Sequence, residues 1–258
     1  MAVALPDLVR ESAWKNGRDK QKMKVRIKFS KYGPVKFIGH LDVMRYFQKA
    51  IRRAEIDIAY SEGFSPHQIM SFAAPLSVGH TSQGEYFDIE VNSFTSENDL
   101  QNRLQAVMVE GIDILKVQLL PQGEGNAMAS VEAASYLVSF KEGTMLPDGW
   151  QEKLTDYYVR PSIPVVKQTK KGKKEIDLKE SIYELELREN SNKETEDIYM
   201  LLNASSGGNI KPAFVLECFF NTLSYQLPDF SLMVHRVETY KNIGTEEVRR
   251  LVPLIWEK

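Results

Sequence analysis

Residues 23–54, "MKVRIKFSKYGPVKFIGHLDVMRYFQKAIRRA", change their hydrophobic period part-way along. Val25, Ile27 and Phe29 alternate with Lys24, Arg26 and Lys28, the period of two that makes one face of a β-strand apolar. Gly33-Pro34 breaks the strand, because proline has no amide hydrogen for a ladder. Beyond it Leu41, Met44, Phe47, Ile51 and Ala54 recur at steps of three and four, which predicts a helix with those residues as its buried stripe.

The same reasoning carries downstream. "YSEGFSP" reads as a loop, and "QIMSFAAPLSV" and "EYFDIEV" as two strands joined through Gly79 and Gly84. Thr95 or Ser96 caps a second helix that carries Glu97 and Asp99 in its first turn. "IDILKVQLL" supplies a last strand before Pro121. The order is βαββαβ, the ferredoxin-like unit. After "GEGNAMAS" the order repeats. "SYLVSF" is a strand and "GWQEKLTDYYV" a helix; "IPVVKQT" and "ESIYELEL" form a hairpin across "KKGKK". "EDIYMLLNAS", "PAFVLECFFNTL" and "LMVHRVETY" follow as strand, helix and strand.

The expected fold is therefore α+β: tandem ferredoxin-like halves, antiparallel sheets with helices on one face, and an inserted hairpin in the second half. The expected domains are a leader or linker over 1–22, a first domain over 23–121 and a linker over 122–130. A second domain spans 131–242, and a C-terminal helical tail 243–258.

With 258 residues the chain can bury a substantial core, and 43% hydrophobic with 26% charged residues is an ordinary globular composition. No apolar run approaches the ~20 residues a membrane span needs, so no membrane partner is expected. Asp7 and Glu11 interrupt the apolar N-terminal residues, so these do not read as a secretory signal and the chain reads as cytoplasmic. Cys218 is the only cysteine; one thiol cannot form an intrachain disulfide or hold an iron–sulfur cluster, and inside "AFVLECFF" it reads as inert. There is no phosphate-binding glycine loop, nucleophile elbow, zinc-protease helix or EF-hand spacing, and no cofactor is expected.

Charge is more informative. Net charge is −2, yet residues 22–54 hold ten cations and one acid, Asp42. Lys24, Arg26 and Lys28 share a strand face with Tyr86, Asp88 and Glu90 if "EYFDIEV" lies alongside, and such cross-strand pairs neutralise a sheet without any ligand. Arg45, Lys49, Arg52 and Arg53 lie off the helix's apolar stripe with no such partners in view. Lys167, Lys170, Lys171, Lys173 and Lys174 make a second cluster. Two readings stand for the helix cations: contact with phosphates of a nucleic acid, or a solvated face.

Three of the four histidines, His40, His67 and His80, fall in turns bearing glycine or proline. A metal set of His40, His67, Asp42 and Glu85 lacks any recognised ligand spacing, and a Ser65–His67 nucleophile pair lacks an orienting third group. Ser65, His67 and His40 with the helix arginines form the candidate anion or RNA site; turns without a ligand are the alternative.

"KFIGHLDVMRYFQKAIRRA", "YSEGFSPHQIMSFAAPLSVG", "SQGEYFDIEV", "KEIDLKESI" and "HRVETY" resemble a bacterial protein family of unknown function encoded beside, or fused to, radical SAM proteins that often carry a B12-binding region. The resemblance covers nearly everything after Met23. It implies a separate radical SAM protein as partner and, by gene setting, an RNA or ribosome context. It brings no catalytic residues. Three functions are expected from residues and resemblance together. The first is a non-catalytic accessory protein binding RNA or another anionic substrate. The others are an RNA-processing enzyme using His40 or His67 as general acid–base, and an adaptor that contacts protein alone.

Overall fold

Alternation at the start of the chain becomes strand β1 (Met23–Lys31) in the computed structural model, which describes residues 22–169, 172–189, 196–245 and 248–256. The expected leader falls outside these, apart from Lys22, as do Lys170 and Lys171 of the lysine cluster. A 3-10 turn over Gly33–Phe37, entered through Pro34, leads to helix α1 (His40–Arg53) with Gly39 as N-cap. Strands β2 (Met70–Phe72) and β3 (Thr81–Val91), helix α2 (Glu97–Gln105) and strand β4 (Ile114–Leu119) complete this half. Ser96 caps α2 by accepting the Asp99 amide at 3.1 Å. "QIMSFAAPLSV" yields only the three residues of β2, since Pro75 cannot continue a ladder and residues 73–80 run on as loop.

Past a short helix α3 (Ala127–Ser130) come β5 (Ala133–Phe140), α4 (Trp150–Tyr158), β6 (Pro164–Thr169), β7 (Gly172–Asp177), β8 (Ile182–Glu189) and β9 (Glu196–Asn203). Helix α5 (Pro212–Thr222), β10 (Leu232–Asn242) and β11 (Leu251–Pro253) follow. The inserted hairpin exists, but its partner is corrected: β6 pairs with β7, Thr169 opposite Gly172, and "ESIYELEL" becomes β8 of the main sheet. "GKKEID" is exposed or half-buried along its length, whereas Ile182 and Leu185 of β8 go into the core.

The architecture is α+β, a large and mostly antiparallel sheet carrying helices. Nine strands join in the order β4-β1-β3-β10-β5-β9-β8, with β2 on β3 and β11 on β10. Each half keeps its own antiparallel neighbours, β4-β1-β3-β2 and β10-β5-β9-β8. One parallel contact joins them, His235 opposite Thr81 and Arg236 opposite Ser82. Two large cores lie along the sheet, with a smaller cluster of Ala133, Tyr199 and Leu201 beside them. In the first, Phe47, Phe72 and Phe29 surround Phe87, with ring centroids 4.6, 5.0 and 5.7 Å away.

Strands β1 and β3 lie side by side and the two sets share a face as expected: Lys24, Arg26 and Lys28 stand opposite Glu90, Asp88 and Tyr86. The apolar stripe of α1 is rotated from the predicted one. Val43, Phe47, Ala50 and Ile51 are buried, while Leu41 in the first turn is 65% exposed. Another correction concerns the C-terminus. The expected helix over 243–258 is replaced, among described residues, by β11, whose Leu251, Val252 and Pro253 pair with Asn242, Lys241 and Tyr240. Pro253 would sit inside such a helix and break it, and Leu254 and Ile255 bury against the second core instead.

Candidate functional site

Helix α1 places its cations as a consequence of its buried stripe. With Val43, Phe47, Ala50 and Ile51 turned to the sheet, Arg45, Lys49, Arg52 and Arg53 are forced to solvent. Arg45 meets Asp42 one turn earlier at 3.3 Å, an exposed pair of the kind worth ~0–1 kcal/mol. Arg53 donates to the Val107 carbonyl at 3.2 Å and lies 5.7 Å from the centre of the Tyr46 ring. The side chains of Lys49 and Arg52 have no hydrogen bond or ion pair among the described residues.

The loop before β2 is tied to this helix at its far end, through Gln68. Gln68 donates to the Gln48 carbonyl at 3.2 Å, halfway along α1. Ser65 and His67 are exposed, and the His67 ring meets Ser61, not Ser65: Nδ1 lies 2.8 Å from the Ser61 hydroxyl, which also accepts the His67 amide. Phe64 points its whole ring into solvent.

His40 belongs to a different place. It is the first residue of α1, so His40 and the Gln48 turn are separated by about 12 Å of helix. Its ring meets Phe72 edge-on at 5.5 Å, beside Lys31 and Glu85 around a cavity of about 10 Å³, room for one water at most. Burial lowers its pKa, opposed by Glu85 and aided by Lys31, so the imidazole is neutral at the positive end of the helix. Of the conceived metal set, His40 and Glu85 come together; His67 sits with Ser61 and Asp42 with Arg45. No group of three His, Cys, Asp or Glu side chains able to hold a metal occurs among the described residues. Cys218 is half-buried, and burial, with Glu217 beside it, raises its thiol to about 11, so it stays protonated.

Sequence reasoning missed the seam between the halves. Parallel pairing of β10 with β3 sets Arg236 against Glu85 at 2.8 Å, both buried, and Arg236 also donates to the Ala74 and Pro75 carbonyls. Lys31 is buried nearby; its ammonium donates to the Ile38 carbonyl at 2.8 Å, and desolvation lowers its pKa against the pull of Glu85. Next to this cluster opens a cleft of about 680 Å³ that includes His80 and Thr81 of the first half with Ser139, His235, Ser231 and Phe230 of the second. His235 Nδ1 lies 2.9 Å from the Thr81 hydroxyl. Both imidazoles are depressed by burial, His80 to about 4 with Arg236, Lys211 and Lys31 adding to the effect. The available signal was "HRVETY", where charged residues interrupt an otherwise apolar strand.

A family model described as an uncharacterized protein conserved in bacteria (DUF2344) matches residues 24–212, and the chain belongs to that family. No curated protein matches it.

Proposed function

We propose that this chain is a non-catalytic accessory protein of the bacterial cytoplasm that holds single-stranded RNA, or a similar polyanion, for a separate radical SAM enzyme. The observation that carries the polyanion half is the solvent face of α1. Four cations stand there with a single exposed carboxylate contact, and the adjoining loop offers the bare ring of Phe64. Cations that track phosphates beside aromatic platforms for bases are the usual equipment for unpaired strands. The partner half rests on the sequence resemblance, and the absence of a cluster-binding cysteine set in this chain assigns that chemistry elsewhere. Each half is read as one ferredoxin-like unit, a reading supported by the two four-strand antiparallel orders, β4-β1-β3-β2 and β10-β5-β9-β8.

A salt titration of binding to a short unstructured RNA tests the polyanion reading. Four phosphate contacts give a log–log slope of about −3 on single strands. Lys49→Glu with Arg52→Glu should cut affinity and flatten that slope. A flat response in the unaltered protein, or affinity indifferent to both reversals, overturns it. Isothermal titration against the isolated radical SAM protein tests the partnership separately, and absence of heat at micromolar concentrations removes it.

A further inference from the structure

We propose that the seam cleft binds the flat, polar-edged ring of a nucleoside. Its residues are distinct from the α1 cations. The inference rests on the polynucleotide reading only for where such a base comes from: a free nucleoside or an unpaired position of a strand.

Three features carry the proposal. The cleft's volume of about 680 Å³ lies within the ~300–1,000 Å³ typical of small-molecule sites. Its wall contains Ser231, 6% exposed, whose hydroxyl is buried and has no hydrogen-bond partner. A hydroxyl shut away without a partner costs free energy, which rotating it toward a ligand's donor or acceptor in the cleft returns. At the lip, Phe37 and Phe230 expose most of their rings, 65% and 86%. Phe230 does so at a φ of +59°, a backbone conformation that a bulky residue occupies only at a cost the surrounding structure offsets.

The electrical character of the wall separates a base from a phosphate. Lys36 and Lys141 are outnumbered by Asp197, Glu217 and Asp229, and His80 and His235 are uncharged at neutral pH. The lining itself carries no excess positive charge; Arg236, Lys211 and Lys31 act on His80 from outside it. Neutral imidazoles offer one donor and one acceptor each, and His235 has spent Nδ1 on Thr81 and keeps Nε2. A base edge shows the complementary mixture, and its π-face stacks on phenylalanine.

Saturation-transfer NMR with each of the four ribonucleosides, on the full chain, tests this, with Phe230→Gly and Ser231→Ala as variants. Glycine accepts a positive φ, so Phe230→Gly should melt no lower than the parent, yet bind about tenfold more weakly through lost stacking. Ser231→Ala removes an unpaired hydroxyl, so it should also leave the melting temperature unchanged or raised while weakening binding. The 5′-monophosphates should bind no more tightly than the nucleosides. Silence from all four nucleosides at millimolar concentration, or binding untouched by both folded variants, overturns the proposal. So does tighter binding of the monophosphates than of the nucleosides together with binding of inorganic phosphate by itself, which would make the cleft an anion site. Arg52→Glu should leave nucleoside binding intact, so this reading and the α1 reading fail separately. If Phe230→Gly weakens a short RNA as it weakens the nucleoside, the base comes from a strand; if the nucleoside alone is affected, the free form is the ligand.

Discussion

Asp88 holds Arg26 by both prongs: Nε reaches Oδ1 at 2.8 Å and Nη2 reaches Oδ2 at 2.9 Å, with both side chains closed to solvent. The pair does more than join β1 to β3. Arg26 also donates to the carbonyls of Gly125 and Leu254, and Asp88 accepts the Ala127 amide at 2.7 Å. Residues just before α3 and just after β11 are thereby fastened to the outer face of the first half.

Removing one member should therefore be severe. Asp88→Ala strands a buried guanidinium and should cost about 3–5 kcal/mol by urea unfolding. Arg26→Met combined with Asp88→Leu should recover only part of that loss, because Gly125, Leu254 and Ala127 then keep unpaired backbone groups. A cost below about 1 kcal/mol for Asp88→Ala would mean that water reaches the site.

At Gly84 the backbone of β3 packs directly on that of β10. A Cβ there would lie 2.5 Å from Glu238 Cα and 2.9 Å from the Val237 oxygen, backbone atoms that cannot rotate away. Around this crossing Glu238 accepts from Lys28 at 2.6 Å and from the Tyr86 hydroxyl at 2.7 Å. Gly84→Ala should lose about 1–3 kcal/mol or more by overpacking. Amide exchange should quicken first over Thr81–Glu85 and Arg236–Thr239. Uniform exchange rates with an unchanged melting temperature would contradict the crossing.

The histidines of the cleft give stability a pH dependence. Folding holds His80 near 4, below its ordinary 6.5, so between those values the unfolded chain binds more protons. The penalty is absent above about pH 6.5 and grows as pH falls toward 4, so stability should drop with acidification in that window. His80 also faces Arg236, Lys211 and Lys31, which add to the effect, and His235 is depressed in the same direction against the pull of Glu85. His80→Gln should flatten the melting-temperature profile between pH 6.5 and 4; a profile of unchanged steepness would assign the loss to other groups.

How much of this was legible in the residues follows the range of each interaction. Arg26 facing Asp88 follows from two alternating patterns, each read within nine to eleven residues. The seam was not legible, because His235 reaches Thr81 from 154 positions away through a parallel contact that leaves no local mark. The candidate set divided for the same reason: Ser65 and His67 stay on an exposed loop and the α1 cations on the helix's solvent face, while His40 is drawn to Glu85 by the sheet. Leucine 251 and its neighbours read as helix because pairing with β10, not local preference, makes them a strand.

The rotation of the α1 stripe offers the sharpest local test. Two periodic assignments fit the sequence: one buries Leu41 and Met44, the other Val43 and Ala50, and Phe47 and Ile51 serve both. The second is the one in which Tyr46 can accept the Val109 amide at 2.7 Å, and it exposes Leu41. Leu41→Asp should then change stability by less than about 0.5 kcal/mol, as surface substitutions do, and its charge near the helix N-terminus is favourable. Val43→Asp puts an unpaired carboxylate into the first core and should unfold the domain or cost several kcal/mol. Urea melts of the two variants decide the register of the helix, and the reverse ranking would return Leu41 to the core and turn the cationic face of α1 away from where the polyanion reading requires it.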